Sequence, residues 1–250
     1  MLCDAHTHIE TQAQVSSYAR QNIFCVASGG TPDECADLLA LRGAYGGMSV
    51  SFGLHPWYAD RYSLEQMEPY LCKASIIGEI GLDSVWCQVD PGRQREIFLR
   101  QLDFAQQRRL PVILHTKGCE QECAALLSRY TMPKVIHWYS CEHHLEHFLE
   151  QDCYFTIGPS VRQDPNVLAV AERAPLRRLL VETDGLSGIR WALGRDLTTR
   201  HLGAVLRSSI EAIAALRGLT PAEVEKLVFD NYSSLFTRGL PQSPAANHGV

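Results

Sequence analysis

Six side chains of the kinds that bind metal ions stand at or just after the ends of predicted β-strands. They are His6, His8, Glu79, His115, His137 and Asp184. Imidazole nitrogens and carboxylate oxygens are ligands for zinc, manganese or magnesium. The carboxyl ends of the strands in a parallel barrel open at one face, where active sites lie. The six residues therefore predict a two-metal hydrolytic site at that face.

The first predicted strand contributes the pair His6 and His8. Side chains two residues apart on a strand point to the same side, so both imidazoles can reach one metal ion. Asp4 shares this alternation one step deeper, and we expect it to support the site by accepting a hydrogen bond from a ligand imidazole. Taken alone, the pair is equally compatible with two exposed histidines.

The other four candidates follow apolar runs that are typical of buried strands. Burial of the Glu79 carboxylate requires a metal ion or an ion pair with an arginine, and a carboxylate can bridge two cations. A single histidine such as His115 is more often a core residue, but His137 on the next strand favours ligation of a second ion. Asp184 follows the last strand, which adjoins the first in a closed barrel, so it can ligate the first ion and act as general base.

His55 follows the third predicted strand, in the segment Gly53-Leu54-His55-Pro56-Trp57. We expect it at the same face, where it either takes part in catalysis through the substrate or supports a metal ligand. The remaining histidines give weaker signals. A solvated group is predicted at His143, His144 and His147, while His201 and His248 carry no pattern.

Eight short apolar or β-branched runs alternate with helix-like stretches. They span residues 2–6, 23–27, 48–52, 75–79, 111–115, 134–137, 153–157 and 179–182. This alternation without hairpin turns is typical of a parallel sheet, and eight units predict a single (β/α)8 TIM barrel. Two helices are expected after the eighth strand, at about 199–216 and 221–236. The segment 184–200 is predicted to be an irregular substrate loop.

The composition excludes some classes of protein. The 250 residues carry a net charge of −5, which gives no general attraction for nucleic acid. No apolar run approaches the ~20 residues of a membrane span, and the N-terminus has no signal-peptide pattern. Nine cysteines without a CxxC pair predict a reduced, cytoplasmic protein. Cys119 and Cys123, four apart on a predicted helix, favour packing over metal ligation.

Several segments together resemble the TatD-type metal-dependent deoxyribonucleases, within the amidohydrolase-like barrels. The similar segments are Asp4-Ala5-His6-Thr7-His8, Gly53-Leu54-His55-Pro56, Gly78-Glu79-Ile80-Gly81-Leu82-Asp83, Leu110-Pro111-Val112-Ile113-Leu114-His115, Val135-Ile136-His137, Val181-Glu182-Thr183-Asp184 and Asn231-Tyr232-Ser233-Ser234-Leu235-Phe236. The resemblance covers about residues 2–238, and we expect a hydrolase domain over 1–238 followed by a disordered tail, 239–250. It implies a two-metal site, with one ion held by His6, His8 and Asp184, the other by His115 and His137, and Glu79 between them.

Positions around the substrate depart from the family pattern. Lys117 replaces an arginine two residues after the fifth-strand histidine, and Ile136 replaces a common glycine. Trp138-Tyr139 stands in place of Cys-Phe, and Gly185-Leu186 in place of Ser-Pro or Ala-Pro. The six ligand positions are kept, so these changes concern the substrate more than the metal ions.

The resemblance implies a hydrolase that cleaves phosphodiester bonds of DNA, and we expect it to act from the end of a single strand. Lys117 and Arg162 are the candidates to hold phosphate. DNA or another phosphodiester is the expected partner, without an obligate protein partner. Two alternatives remain open: an amidohydrolase-like enzyme acting on a small ester, lactone or amide, and a catalytically silent binding protein.

Overall fold

Eight parallel strands form one sheet in the computed structural model, which describes residues 1–236. In chain order they are β1 Cys3–Thr7, β2 Phe24–Gly29, β3 Met48–Phe52, β4 Ile77–Gly81, β5 Val112–His115, β6 Lys134–Ile136, β7 Tyr154–Ile157 and β8 Leu179–Val181. Each strand pairs with its neighbours in sequence, so the order in the sheet is the order in the chain. All eight strands lie within two residues of the predicted runs.

The sheet curves until β8 lies beside β1. The backbone N–H of Asp184, just after β8, donates a hydrogen bond of 3.1 Å to the carbonyl of His6. Nearly every strand residue is buried. The strand sequences are mostly apolar because one face of each strand packs inside the barrel and the other packs against helices. The prediction of a (β/α)8 barrel is confirmed.

Helices alternate with the strands. Residues 1–236 form α1 Gln12–Gln21, α2 Pro32–Leu41, α3 Leu64–Leu71, α4 Pro91–Arg108, α5 Glu120–Leu127, α6 Leu145–Glu150, α7 Pro165–Arg173, α8 Gly185–Leu193, α9 Leu202–Arg217 and α10 Pro221–Phe236. The longest, α4, begins where the Asp90 carboxylate accepts the Arg93 N–H at 2.9 Å. It buries Ile97, Phe98 and Leu102 on one face, which is the amphipathic pattern of a barrel helix.

The segment after β8 differs from its prediction. We expected residues 184–200 to be irregular, but α8 occupies Gly185–Leu193. Glycine disfavours helices, and Gly185 and Gly188 therefore hid this one. A Cβ at Gly188 would lie 2.6 Å from the Cβ of Asp184, so glycine allows α8 to pack directly against that residue. The two C-terminal helices, α9 and α10, are as predicted.

Two further expectations concern the limits of the chain and its cysteines. The domain boundary at 238 and the tail 239–250 lie outside the described residues. Within 1–236, no helix is long and apolar enough to cross a membrane. The nine cysteines all lie in this range and are free. Cys123 is buried and Cys119 is half-buried, in keeping with the predicted packing role.

Candidate metal centre

The two histidines of the first strand project into the barrel mouth. His6 is fully buried, whereas His8, one residue beyond β1, is partly exposed. The Nε2 atoms of both lie 3.3 Å from Oδ1 of Asp184. Nδ1 of His6 forms a 2.9 Å hydrogen bond with the Ser28 hydroxyl on β2. That contact fixes the ring so that Nε2 faces the cluster.

Glu79 on β4 lies at the centre of the cluster, with a buried carboxylate. Its Oε2 is 3.4 Å from Nε2 of His6 and 3.8 Å from Nε2 of His8. Its Oε1 is 2.8 Å from Nδ1 of His115 and 3.7 Å from Nε2 of His137. The two oxygens therefore face different sets of histidines, which is the arrangement that a bridging carboxylate requires.

Two buried acids orient the histidines that follow from β5 and β6. Nε2 of His115 forms a 2.8 Å hydrogen bond with Oδ2 of Asp83, and Nδ1 of His137 forms one of 3.0 Å with Oε2 of Glu182. Sequence reasoning missed both acids as site residues. The signal was available, because a ligand imidazole commonly pairs with a carboxylate and each acid lies within a few residues of a candidate ligand.

Asp184 is placed by an unusual backbone conformation. It follows β8 with a φ of 57°, in the left-handed region, which aspartate adopts more readily than most residues. Its carboxylate lies between the Nε2 atoms of His6 and His8, and 24% of the side chain is exposed. It therefore contacts the cluster on one side and the barrel mouth on the other.

Asp4 supports this end of the site through a different contact from the one we expected. It accepts hydrogen bonds from the Thr183 N–H at 2.9 Å, from the Thr183 hydroxyl at 2.6 Å and from the Tyr18 hydroxyl at 2.8 Å. Burial raises its pKa to about 7, despite these three donors. Within residues 1–236 it makes no hydrogen bond to a ligand imidazole, because Thr183 and Tyr18 already occupy its oxygens. Asp4 instead holds the residue that precedes Asp184.

His55 lies closer to the cluster than a substrate-contacting role requires. Its Nε2 is 3.5 Å from Oε1 of Glu79, and its Nδ1 accepts the Trp57 N–H at 3.2 Å. The side chain is buried, and burial lowers the pKa of its imidazole more than the nearby Glu79 raises it. A neutral imidazole that accepts at Nδ1 carries its proton on Nε2, which faces the Glu79 carboxylate as a donor, so His55 is suited to orienting Glu79 and to contacting substrate.

The buried carboxylates of the cluster require nearby positive charge to remain ionised. Burial alone would raise the pKa of Glu79 and Asp184, but the neighbouring histidines hold both well below the usual range. Burial opposes protonation of His115, yet hydrogen bonds to Asp83 and Glu79 raise its pKa to about 9. Protons on His6 and His115, whose pKa values are raised, thus balance part of the carboxylate charge. A divalent ion that binds the same atoms replaces those protons.

The donor atoms are close enough to share cations. Three overlapping sets each place one ligand atom per residue within 4.8 Å of the others: His6, His137, Asp184; His6, His8, Glu79; and His55, Glu79, His115. Within residues 1–236, the buried Nε2 of His6 has no hydrogen-bond partner. A buried nitrogen without a hydrogen bond, facing two carboxylates, fits a metal ligand. The residues therefore fit divalent metal ions, with all six predicted ligands brought together.

The two predicted phosphate-binding cations lie in different surroundings. Nζ of Lys117 donates to the Ser140 hydroxyl at 3.2 Å and lies 4.7 Å from the centre of the Trp86 ring, beside the cluster. Arg162 instead contacts α9, where it donates to Ser208 at 3.3 Å and pairs with Glu211 at 3.6 Å. Of the predicted solvated group, His143 and His147 are exposed and His144 is half-buried.

Two cavities open beside the cluster, and both have His115, His137 and Asp184 in their walls. The first, with a volume of about 440 Å³, is lined by tryptophans: Trp57, Trp86, Trp138 and Trp191. The second, of about 360 Å³, is lined by acidic residues that include Glu10, Glu34 and Asp37. Sequence reasoning did not find the residues of either wall, because no periodic pattern connects residues on separate loops and helices.

Known proteins share this chain's sequence and fold. The family described as TatD related DNase matches residues 3–237. The uncharacterized metal-dependent hydrolase YjjV of Escherichia coli (strain K12) is 27% identical, over 94% of this chain and 99% of the relative. Deoxyribonuclease TATDN3 of Homo sapiens is 26% identical, over 70% of this chain and 65% of the relative. The crystal structure of the TatD homologue YJJV from Escherichia coli K12 has a TM-score of 0.81 at 25% identity, over 94% of this chain and 98% of that one.

The family match spans nearly the whole chain and includes every residue of the metal cluster. It agrees with the resemblance found in the sequence segments, and it removes the alternative of a catalytically silent binding protein. The chain therefore belongs to the TatD related DNase family and is a metal-dependent hydrolase that acts on ester bonds.

Proposed function

We propose that this hydrolase cleaves phosphodiester bonds of DNA, and that it acts from the end of a single strand with two divalent ions bound. The observation that supports the proposal is the position of Glu79, whose two carboxylate oxygens face separate sets of histidines. A shared carboxylate between two nitrogen-donor sets suits a pair of ions, as in two-metal hydrolases of phosphate esters. The name of the human relative, deoxyribonuclease TATDN3, supports DNA as substrate.

We assign the ligands to two sets around Glu79. His6, His8 and Asp184 form the first set, since both imidazoles lie 3.3 Å from the Asp184 carboxylate. His115 and His137 form the second, and His55 adjoins it through Glu79. When bound, divalent ions acidify water and withdraw charge from phosphoryl oxygens.

The side chains of the protein then have distinct tasks. Asp184 is partly exposed to the cavities, so its carboxylate can accept a proton from the attacking water. Ser28, Asp83 and Glu182 keep the ligand rings oriented through their hydrogen bonds. Lys117 is the cation that holds phosphate beside the site. The contacts of Arg162 with α9 favour Lys117 over Arg162 for this role.

The charge distribution favours one flexible strand over a duplex. The net charge of −5 provides little attraction for the many phosphates of a long double helix. The second cavity adds Glu10, Glu34 and Asp37 beside the metal ligands. A strand end that brings one phosphate to the site avoids most of this repulsion.

End-labelled oligonucleotides test the proposal. We expect stepwise shortening of a single strand with manganese, magnesium or zinc, slower shortening of the matched duplex, and no cleavage after chelation. The Glu79→Gln variant serves as the negative control for contaminating nucleases. Absence of cleavage with every metal ion, together with turnover of a small carboxylic ester, lactone or amide, would contradict the proposal and select the amidohydrolase alternative.

A further inference from the structure

The aromatic wall of the larger cavity collects every tryptophan that the chain contains. Trp57 follows β3, Trp86 follows β4, Trp138 follows β6 and Trp191 belongs to α8. Four separate segments thus bring one rare residue type to one place. Such convergence is not required by the barrel, because the fully buried core of residues 1–236 contains aliphatic, phenylalanine and tyrosine side chains but no tryptophan.

Three of these rings are unusually exposed. Residues 1–236 contain five exposed large apolar side chains, and Trp57, Trp86 and Trp191 are among them, with exposed fractions of 37%, 49% and 63%. Apolar surface concentrated in a concave site commonly marks ligand binding. The volume of about 440 Å³ suits a small organic group.

The tryptophan rings meet edge to face, so in these pairs no ring is stacked face to face on another tryptophan. The centres of Trp86 and Trp191 are 6.0 Å apart at 71°, and those of Trp138 and Trp191 are 5.6 Å apart at 81°. Trp57 and Trp86 also meet edge to face, at 6.4 Å and 81°. None of these three pairs is stacked in parallel, the arrangement in which both inner faces would be covered.

Two of the tryptophans are anchored, and one anchor is shared with the metal centre. Nε1 of Trp138 donates to the Ser160 hydroxyl at 3.0 Å. Nε1 of Trp57 donates to Oδ2 of Asp83 at 2.7 Å, and the same oxygen is 2.8 Å from Nε2 of His115. The position of the aromatic wall is therefore coupled to that of a metal ligand.

The charges around the wall indicate what kind of ring it accepts. Lys117 contributes a cation to this wall, over the ring of Trp86. A cationic guest would be repelled there, whereas a neutral ring with an attached anion would be attracted. The adjoining second cavity, with Glu10, Glu34 and Asp37, disfavours further phosphates on that side of the metal centre.

We propose that the cavity lined by Trp57, Trp86, Trp138 and Trp191 binds a planar aromatic ring attached to the phosphate that is hydrolysed. The proposal rests on the proposed phosphodiesterase function and specifies the ring-bearing side of its substrate. A nucleobase and a simple aryl group share this chemistry. Stacking of a base on aromatic side chains also tolerates any base sequence.

Tryptophan fluorescence provides a direct test, because every tryptophan lies at the cavity. Metal-free protein is titrated with 2′-deoxyadenosine 5′-monophosphate, phenyl phosphate and 2-deoxyribose 5-phosphate. We expect the ring-bearing compounds to quench emission at a concentration at least about tenfold lower than the ringless sugar phosphate does. Equal response to all three compounds would overturn the proposal. A response to the nucleotide that exceeds that to phenyl phosphate would identify the ring as a nucleobase.

Substitutions at Trp191 test whether the aromatic wall is the part of the protein that binds the ring. Trp191→Ala should remove most of the discrimination between ring-bearing and ringless compounds, while Trp191→Phe should retain it. Val85→Ala is the matched control, because Val85 is also an exposed apolar residue but does not line the cavity. Circular dichroism and thermal melting verify that each variant is folded. Undiminished discrimination in folded Trp191→Ala protein would contradict the proposal.

Kinetics separate this proposal from the phosphodiesterase function. An oligonucleotide with an abasic residue next to the scissile bond should have kcat/KM at least about tenfold below that of the normal strand. Equal cleavage of both would remove the ring site and leave the phosphodiesterase function intact. Selective quenching by ring-bearing compounds without cleavage of any oligonucleotide would support the ring site and contradict the phosphodiesterase function.

Discussion

The strand ends and the loops of this barrel mouth differ in how their functional residues are fixed. His6, Glu79 and His115 lie within strands, where ladder hydrogen bonds and buried neighbours set their positions. Trp86 lies in a loop and Trp191 in α8, both largely exposed. The first group presents nitrogen and oxygen donors, and the second presents apolar rings.

We infer from this difference that the strand ends carry out the chemistry and the loops select the substrate. A metal centre requires donor atoms placed to within fractions of an ångström, which rigid strands provide. A wall that recognises the substrate tolerates small displacements and can be changed without disturbing the ligands. We therefore expect substitutions at strand ends to abolish hydrolysis, and substitutions on the loops to change which substrates are hydrolysed.

The largest effect should come from Glu79→Gln. Loss of one carboxylate charge between the two histidine pairs should lower kcat/KM by about 10²–10³-fold. His143→Ala is the control, since His143 is exposed and outside the cluster, and it should retain activity within about twofold. Similar losses in the two variants would mean that Glu79 does not hold the centre together.

Asp83→Asn should have the next largest effect, because Asp83 contacts both a metal ligand at a strand end and the aromatic wall of the cavity. It orients His115 and anchors Trp57 through the same oxygen. We expect metal affinity to fall about 10–100-fold, as measured by competition with a chelator. The control is Asp103→Asn, an exposed aspartate on α4 that bonds only to Tyr130 in the described residues. Unchanged metal affinity in Asp83→Asn would contradict its positioning role.

Lys117→Ala tests the loop residues of the barrel mouth separately from the metal ligands at the strand ends. Removal of this cation should raise KM for an oligonucleotide about tenfold, because a charge-assisted contact to phosphate is lost. Bound metal, measured by elemental analysis, should stay unchanged. Lys73→Ala, at an exposed position away from the cavities, is the matched control. A parallel loss of metal from Lys117→Ala would show that the two regions are not separable.

The smallest effect is expected from a change at Tyr18, whose hydroxyl donates to Asp4 on β1. Tyr18→Phe removes the hydroxyl that donates to Asp4, and should lower the free energy of unfolding by about 1–2 kcal/mol. Activity should change less than twofold, because two donors from Thr183 still hold Asp4. Tyr45→Phe is the control, since its buried hydroxyl has no partner within residues 1–236. Denaturant melts that do not distinguish the two variants would contradict this prediction.

The residues that sequence reasoning found are those with a strong local signal. Runs such as Val112–His115 combine β-branched residues with a terminal ligand type, so strand and ligand were predicted together. The alternation of eight such runs also predicted the barrel. The relative placement of the six ligands follows from that topology, because parallel strands end at one face.

The residues that it missed depend on contacts between distant segments. Trp86 and Trp191 meet across 105 positions of sequence (191 − 86), and no pattern near either one predicts the other. Helix α8 was hidden by Gly185 and Gly188, which lie close to His8 and Asp184 respectively. The partner of Asp4 was misassigned because strand alternation gives the side of a side chain but not its neighbours.

Metal content, measured together with hydrolysis, tests the central claim most directly. Purified protein is dialysed against each divalent ion, and bound metal per chain is determined by elemental analysis before and after chelation. We predict two ions per chain in the native protein, fewer in Glu79→Gln, and loss of hydrolysis that returns when metal is restored. Absence of specific uptake, with hydrolysis undiminished in the presence of chelator, would contradict the account.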